Sequence, residues 1–151
     1  MAELKAALIA DVRAAQAALR ERVAAVGEDD WARECANPGW TNKDLLAHMA
    51  SIDRRLRDQL PCAFGRQPWP SSTIDEYNDV EVGARRGATV EELRAELARE
   101  SAATLAFLEG LSEAELAHQF EHPRRGSVTV EGFLRIIPNH IHEHVGDFRA
   151  G

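Results

Sequence analysis

Apolar residues along the first part of the chain fall at Leu4, Leu8, Val12, Ala15, Leu19, Val23 and Val26. Steps of four and three residues are the period of one helix face, so this stretch predicts an amphipathic helix. Gly27 follows it, a residue suited to a left-handed helix end. Pro38 and Gly39 then punctuate a loop. Thr41 opens a second helix, with Asp44 three residues on in the arrangement of a capping box. Its apolar stripe is Leu45, Met49, Ile52, Leu56 and Leu60, and Pro61 is expected to stop it. Residues 61 to 88 read as a long connection rich in turn formers, holding a short helix announced by Thr73 and Glu76. Thr89 and Glu92 repeat that signal before a third long helix with Val90, Leu93, Leu97, Leu105 and Leu108 inward, and Ser112 with Glu115 caps a short extension. After the break at "HPRRGS", a last helix starts near Ser127 or Thr129 and carries the stripe Val130, Phe133, Ile137, His140, His144, Phe148. No run alternates in the manner of a strand. Each helix has a single apolar stripe to bury, so the pattern predicts an all-α four-helix bundle over residues 1–151 as one domain, with a long connection between helices two and three.

Composition narrows the function classes. The chain has 151 residues, 18 basic against 25 acidic, and a net charge of -7. That balance argues against nucleic acid as a partner, which requires a basic footprint. Arg54-Arg55, Arg85-Arg86 and Arg124-Arg125 read as solvated faces diluted by neighbouring acids. Cys35 and Cys62 form no metal or redox motif, and the N-terminal apolar run is too short for a signal peptide. No segment approaches the roughly 20 apolar residues of a membrane span. A cytoplasmic protein with no membrane partner is the expectation. No heptad seam or apolar patch marks a dimer interface, although homodimers are common among bundles of this kind.

Half of the six histidines lie in "NHIHEHVGDF", Asn139 to Phe148. At about 100° per residue, His140 and His144 share the inward face while His142 points away. His48, three residues after Leu45 and four before Ile52, also faces inward. Buried imidazoles require hydrogen-bond or metal partners. Three from two helices would make an open site of the catalytic type, suited to zinc, nickel, copper or iron. On spacing alone, metal ligation and a set of satisfied core histidines both stay open. His118 and His122 have no partner at ligand spacing and read as incidental. Pro138, inside the last helix, predicts a kink or a restart there, since it cannot donate to the Leu134 carbonyl.

Three segments carry a family resemblance. "NPGWTNKDLLAHMA", Asn37 to Ala50, resembles the cPGWTvrDlLaHla segment of the mycothiol-dependent maleylpyruvate isomerase N-terminal domain. "YNDVEVGARRG" is similar to that family's N-x-x-x-v-x-x-R-R-g stretch, and "HIHEHVGD" resembles the H-x-x-x-H-x-G-Q ending of the wider DinB-like superfamily. The resemblance implies a DinB-like bundle holding a divalent transition metal, zinc or nickel foremost, through His48, His140 and His144. It also implies a low-molecular-weight thiol of the mycothiol, bacillithiol or glutathione type, activated for transfer to a small-molecule electrophile or for isomerisation. A non-catalytic small-molecule binder serving stress resistance is the alternative. The isomerases have a second domain with no counterpart before Gly151, so maleylpyruvate itself is not the expected substrate. Asp147 stands where the family's Gln is usual, and reads as a partner of His144, an extra ligand or a solvated helix-end acid. Trp40 is expected under the start of the second helix, and Trp69 at a pocket mouth or over the core.

Overall fold

The first element, α1 (Glu3–Ala24), buries Leu8, Val12, Ala15, Leu19 and Val23 along one face, as the stripe requires. Leu4 departs from that stripe and is exposed. The fold is given by a computed structural model that describes residues 3–149. Gly27 does not serve as a left-handed cap: its φ is -75°, and it leads into a short 3-10 turn at Glu28–Asp30.

The second long helix, α2 (Asn42–Asp58), opens with the expected reciprocal capping box, the Thr41 hydroxyl accepting from Asp44 N and Asp44 accepting from Thr41 N. It is buried nearly all round, Leu46, Ala47 and Ala50 being hidden as well as the stripe. Pro61 does not end it. α2 finishes before Pro61, which sits inside the first turn of a separate helical turn, α3 (Leu60–Ala63), where its missing N–H costs nothing. The long connection then holds α4 (Ile74–Ala84), capped by Thr73.

Next come α5 (Val90–Glu109), capped by Thr89, and α6 (Glu113–Ala117), whose Ser112–Glu115 capping box is complete. Residues 119–129 correct the sequence expectation of no strands. They form an antiparallel hairpin of β1 (Gln119–His122) and β2 (Gly126–Thr129), with Phe120 opposite Val128. Its turn is Pro123, Arg124 and Arg125, closed by Gly126 at φ +71°, a left-handed conformation that suits glycine. A four-residue strand is too short to show a period against such a background, which is why it was illegible in the sequence.

The last helix is split. α7 (Val130–Leu134) is capped by Thr129, Arg135 follows, and α8 (Ile136–Val145) begins anew. The restart expected at Pro138 falls two residues earlier, at Ile136, so Pro138 lies in the first turn of α8, where no donor is needed. Arg135 ties the junction down by pairing with Glu131 and with Asp11 of α1.

The four long elements assemble as a DinB-like four-helix bundle. α5 packs against both α1 and α2, and α8 likewise, so that α1 and α2 stand across from one another. Phe133, Leu134, Ile137 and Phe148 fill the core together with Leu8, Leu45, Leu46 and Leu93. Burying each such side chain contributes about 1.5–3 kcal/mol, so the stripes rather than helix propensity hold the helices together. No helix among the described residues is long and apolar enough to cross a membrane.

Candidate metal centre

α2 and α8 meet at three imidazoles. His48 is 2% exposed, and the potential ligand atoms of His48, His140 and His144 all lie within 4.8 Å of one another. His142, two residues from each of the α8 pair, is exposed. Helical phase accounts for the division: a rotation of about 200° sends the middle ring to the opposite side. The ring centroids are 4.9 Å apart for His48 and His140, 4.4 Å for His140 and His144, and 5.1 Å for His48 and His144.

The protonation of these rings follows from where they sit. Burial, then the nearby His140 and His144, lowers the His48 pKa to about 3. Burial and His144 lower that of His140 to about 4. Both rings are therefore neutral at physiological pH, each with one nitrogen carrying a lone pair. Nε2 of His48 faces Nε2 of His140 at 3.1 Å. Two nitrogens about 2.0–2.1 Å from one ion, at angles of 90° to 110°, are themselves roughly 2.9–3.4 Å apart. The donor set and its spacing thus fit a transition ion.

The outward nitrogens differ. His144 Nδ1 is hydrogen-bonded to Asp147 Oδ2 at 2.9 Å, which leaves its Nε2 free for the cluster. The Nδ1 atoms of His48 and His140 are buried without a hydrogen bond. Asn78 of α4, whose Oδ1 is buried and also unpaired, lies against His48 and favours its protonated form. Its geometry falls short of a full hydrogen bond. Trp40 packs on the His48 ring at 5.1 Å, in keeping with its expected place under the start of α2.

Asp147 belongs to a tail that is pinned at several points. Its carbonyl accepts from Ala36 N, the Phe148 carbonyl accepts from the Arg22 guanidinium, and Phe148 meets Trp31 edge to face. Asn42 makes the tightest clamp: its Nδ2 donates to the Asp30 and Arg149 carbonyls and its Oδ1 accepts from Arg149 N. The sequence offered no signal for Asn42, since one Asn at a helix start is commonplace.

Beside His140 a cavity of about 530 Å³ opens between α2, the long connection and the hairpin. Trp69 and Phe133 form one wall, 6.2 Å apart and edge to face, and Arg55, Arg124 and Arg125 contribute cations. His122 lines it too. Arg55 reaches the cavity from α2, whereas the fold of the hairpin brings His122, Arg124 and Arg125, which the sequence gives no reason to group with the triad, to the side of His140. Arg85, unlike the exposed Arg124 and Arg125, is no solvated cation: it is held between Glu81 and Glu96, away from this cavity. Cys35 and Cys62 are both buried and free, and neither contributes a ligand atom to the cluster.

A four-helix bundle with an inward histidine triad at the α2–α8 contact defines the class of protein. A family model for the DinB superfamily matches residues 11–148, and the chain belongs to that superfamily. Among solved structures it is similar to the mycothiol-dependent maleylpyruvate isomerase, with a TM-score of 0.80 and 17% identity over 97% of this chain. A mutant of the same enzyme aligns with a TM-score of 0.79 and 16% identity. The chain spans 61% of the length of those isomerase chains. It is also similar to YfiT from Bacillus subtilis, described as a probable metal-dependent hydrolase with an unusual four-helix bundle topology. There the TM-score is 0.76 and the identity 19%, over 98% of this chain and 85% of that one. At these identities the likeness is one of fold. No curated protein matches the chain.

Proposed function

We propose that this protein is a metal-dependent enzyme that transfers a low-molecular-weight thiol to a small electrophile, with the ion held by His48, His140 and His144. The observation that carries this reading is the convergence of three imidazoles whose ligand atoms lie within 4.8 Å of one another, two of them held neutral by burial. A bound zinc or nickel ion would leave positions open beyond its three protein ligands and would stabilise a thiolate, the nucleophilic form of a thiol. The chain's own residues do the rest. Asp147 fixes the tautomer and orientation of His144, Trp40 shields His48, and the cavity beside His140 provides room for the electrophile.

A hydrolytic reading, in which water takes the place of the thiol, is favoured less by the cavity wall. Among the described residues, no carboxylate lines the cavity to serve as a general base. A thiol needs less help, because its unperturbed pKa near 8.5 lies far below that of water. The mycothiol dependence of the similar isomerase also supports the thiol reading.

The experiment is to purify the chain without an affinity tag or chelator, measure its metal content, and follow thiol conjugation with chlorodinitrobenzene. About one zinc or nickel per chain is expected, lost in His48→Ala/His144→Ala, together with thiol turnover that vanishes with the metal. Metal retained in the double variant, or turnover indifferent to chelation, refutes the proposal. Tight ligand binding without turnover would instead assign the bundle to sequestration of a small molecule.

A further inference from the structure

The cavity beside His140 has an electrostatic character opposite to that of the whole chain. The protein carries a net charge of -7, yet among the described residues the lining includes Arg55, Arg124 and Arg125 and no aspartate or glutamate. Among the described residues, none of these three arginines is ion-paired, whereas Arg54, Arg57, Arg85, Arg86, Arg94 and Arg135 all are. Unpaired cations lining a concave, partly apolar surface focus a positive potential inside it. Such a surface attracts an anion.

The arginines are not equivalent. Arg55 is preset: it donates to the Ser72 carbonyl at 3.1 Å, and its guanidinium lies 4.9 Å from the centre of the Tyr77 ring. Arg124 and Arg125 are exposed on the hairpin turn. The Arg124 backbone N–H donates to His122 Nδ1 at 3.1 Å. A backbone N–H only donates, so Nδ1 must accept and the neutral ring carries its proton on Nε2, as a hydrogen-bond donor. Burial, then Arg125 and Arg124, lowers the His122 pKa, in keeping with a neutral ring.

Another part of the lining is flat and apolar. Trp69 stacks on Phe120 with centroids 5.8 Å apart, and Phe120 meets Phe133 edge to face at 5.8 Å. Each ring is braced by another, so the Trp69 face is held in place. The volume of about 530 Å³ lies within the range of about 300–1,000 Å³ usual for small-molecule sites.

We propose that this cavity takes a small organic anion with a flat apolar body, its body against Trp69 and Phe133 and its charge toward Arg55, Arg124 and Arg125. Beside His140, that anion is the electrophilic substrate, an assignment that rests on the thiol-transfer reading above. The anion preference itself requires no metal.

The test is calorimetric titration of the full chain as purified with 2-naphthoate, its neutral counterpart 2-naphthylmethanol, and hexanoate, a monoanion with no thiol and no flat ring. The naphthoate is expected to bind at least about tenfold more tightly than either of the others, a preference worth about 1.4 kcal/mol. In Arg124→Gln/Arg125→Gln the advantage over the alcohol should shrink to about threefold or less, with the alcohol's affinity unchanged. These two side chains are exposed and unpaired, so the double variant should keep the helical circular dichroism of the parent. Equal binding of naphthoate and alcohol, or an undiminished preference in the double variant, overturns the proposal. Tighter binding of hexanoate than of naphthoate overturns the flat-body assignment. Repeating the titration in His48→Ala/His144→Ala separates the two readings: a failed metal site leaves the anion preference intact, and a failed preference leaves the metal content as it was.

Discussion

The Nδ1 atom of His144 and a carboxylate oxygen of Asp147 are 2.9 Å apart, one helical turn from each other at the end of α8. Asp147 is thereby a partner of a histidine rather than a ligand or a solvated helix-end acid. Carboxylates in this position orient the ring and raise its basicity toward a metal. Asp147→Ala is expected to lower metal affinity by about 10- to 100-fold. Competition with a chromogenic chelator measures this directly. An unchanged affinity would show that the pairing contributes nothing to the site.

His140 and His142 are two residues apart and should behave oppositely. His140→Ala removes a nitrogen 3.1 Å from that of His48 and should abolish stoichiometric metal binding. His142→Ala alters an exposed side chain and should leave metal content and stability within about 0.5 kcal/mol of the parent. Elemental analysis beside urea denaturation distinguishes the pair, and equal effects of the two substitutions would rule out the phase assignment.

Asp53 predicts a pH dependence. It is buried between α2 and α5, accepts from the Thr104 hydroxyl at 3.3 Å, and has its pKa raised by burial from 3.8 to about 6. The folded state therefore holds this proton more tightly than the unfolded chain does. Its contribution to stability is fully present below about pH 4 and is lost as the pH rises through about 6. Asp53→Asn should remove this contribution to the pH dependence and, at pH 8, stabilise the protein by up to about 3 kcal/mol. Urea midpoints of both proteins from pH 4 to 8 provide the check. A variant less stable than the parent at pH 8 would contradict the assignment.

Asn42 links stability to the site. Its side chain makes three hydrogen bonds that hold the start of α2 to Asp30 and Arg149, just beyond Asp147. Asn42→Ala removes three part-buried hydrogen bonds and should cost about 2–3 kcal/mol. With the tail released, metal affinity should fall as well, although Asn42 touches no histidine of the cluster. Thermal unfolding with and without added zinc would register both effects; a loss of stability with unchanged affinity would show that the tail does not position Asp147.

Much of the bundle was legible because its signals are local. Thr41, Thr73, Thr89 and Ser112 each cap the helix their sequence context announces, since a cap depends on residues three apart. The inward turn of His48, His140 and His144 and the outward turn of His142 followed from helical period alone, as did the burial of Phe133, Ile137 and Phe148. The two junctions near prolines were foreseen as interruptions but misplaced by a residue or two. Pro61 and Pro138 both sit within first turns, and a missing N–H says that a ladder is broken nearby, not where the next helix begins.

Local signals in the sequence were enough to locate the long helices to within a few residues, the way the histidines turn, and the superfamily frame. Tertiary structure alone decided that His48 and His140, ninety-two residues apart, come within 3.1 Å, because the register of α2 against α8 is set by side chains packing across the whole core. It also decided the cavity. The hairpin that carries His122, Arg124 and Arg125 stands against Trp69 from a distant connection, and no local periodicity records a contact between segments so far apart in the chain.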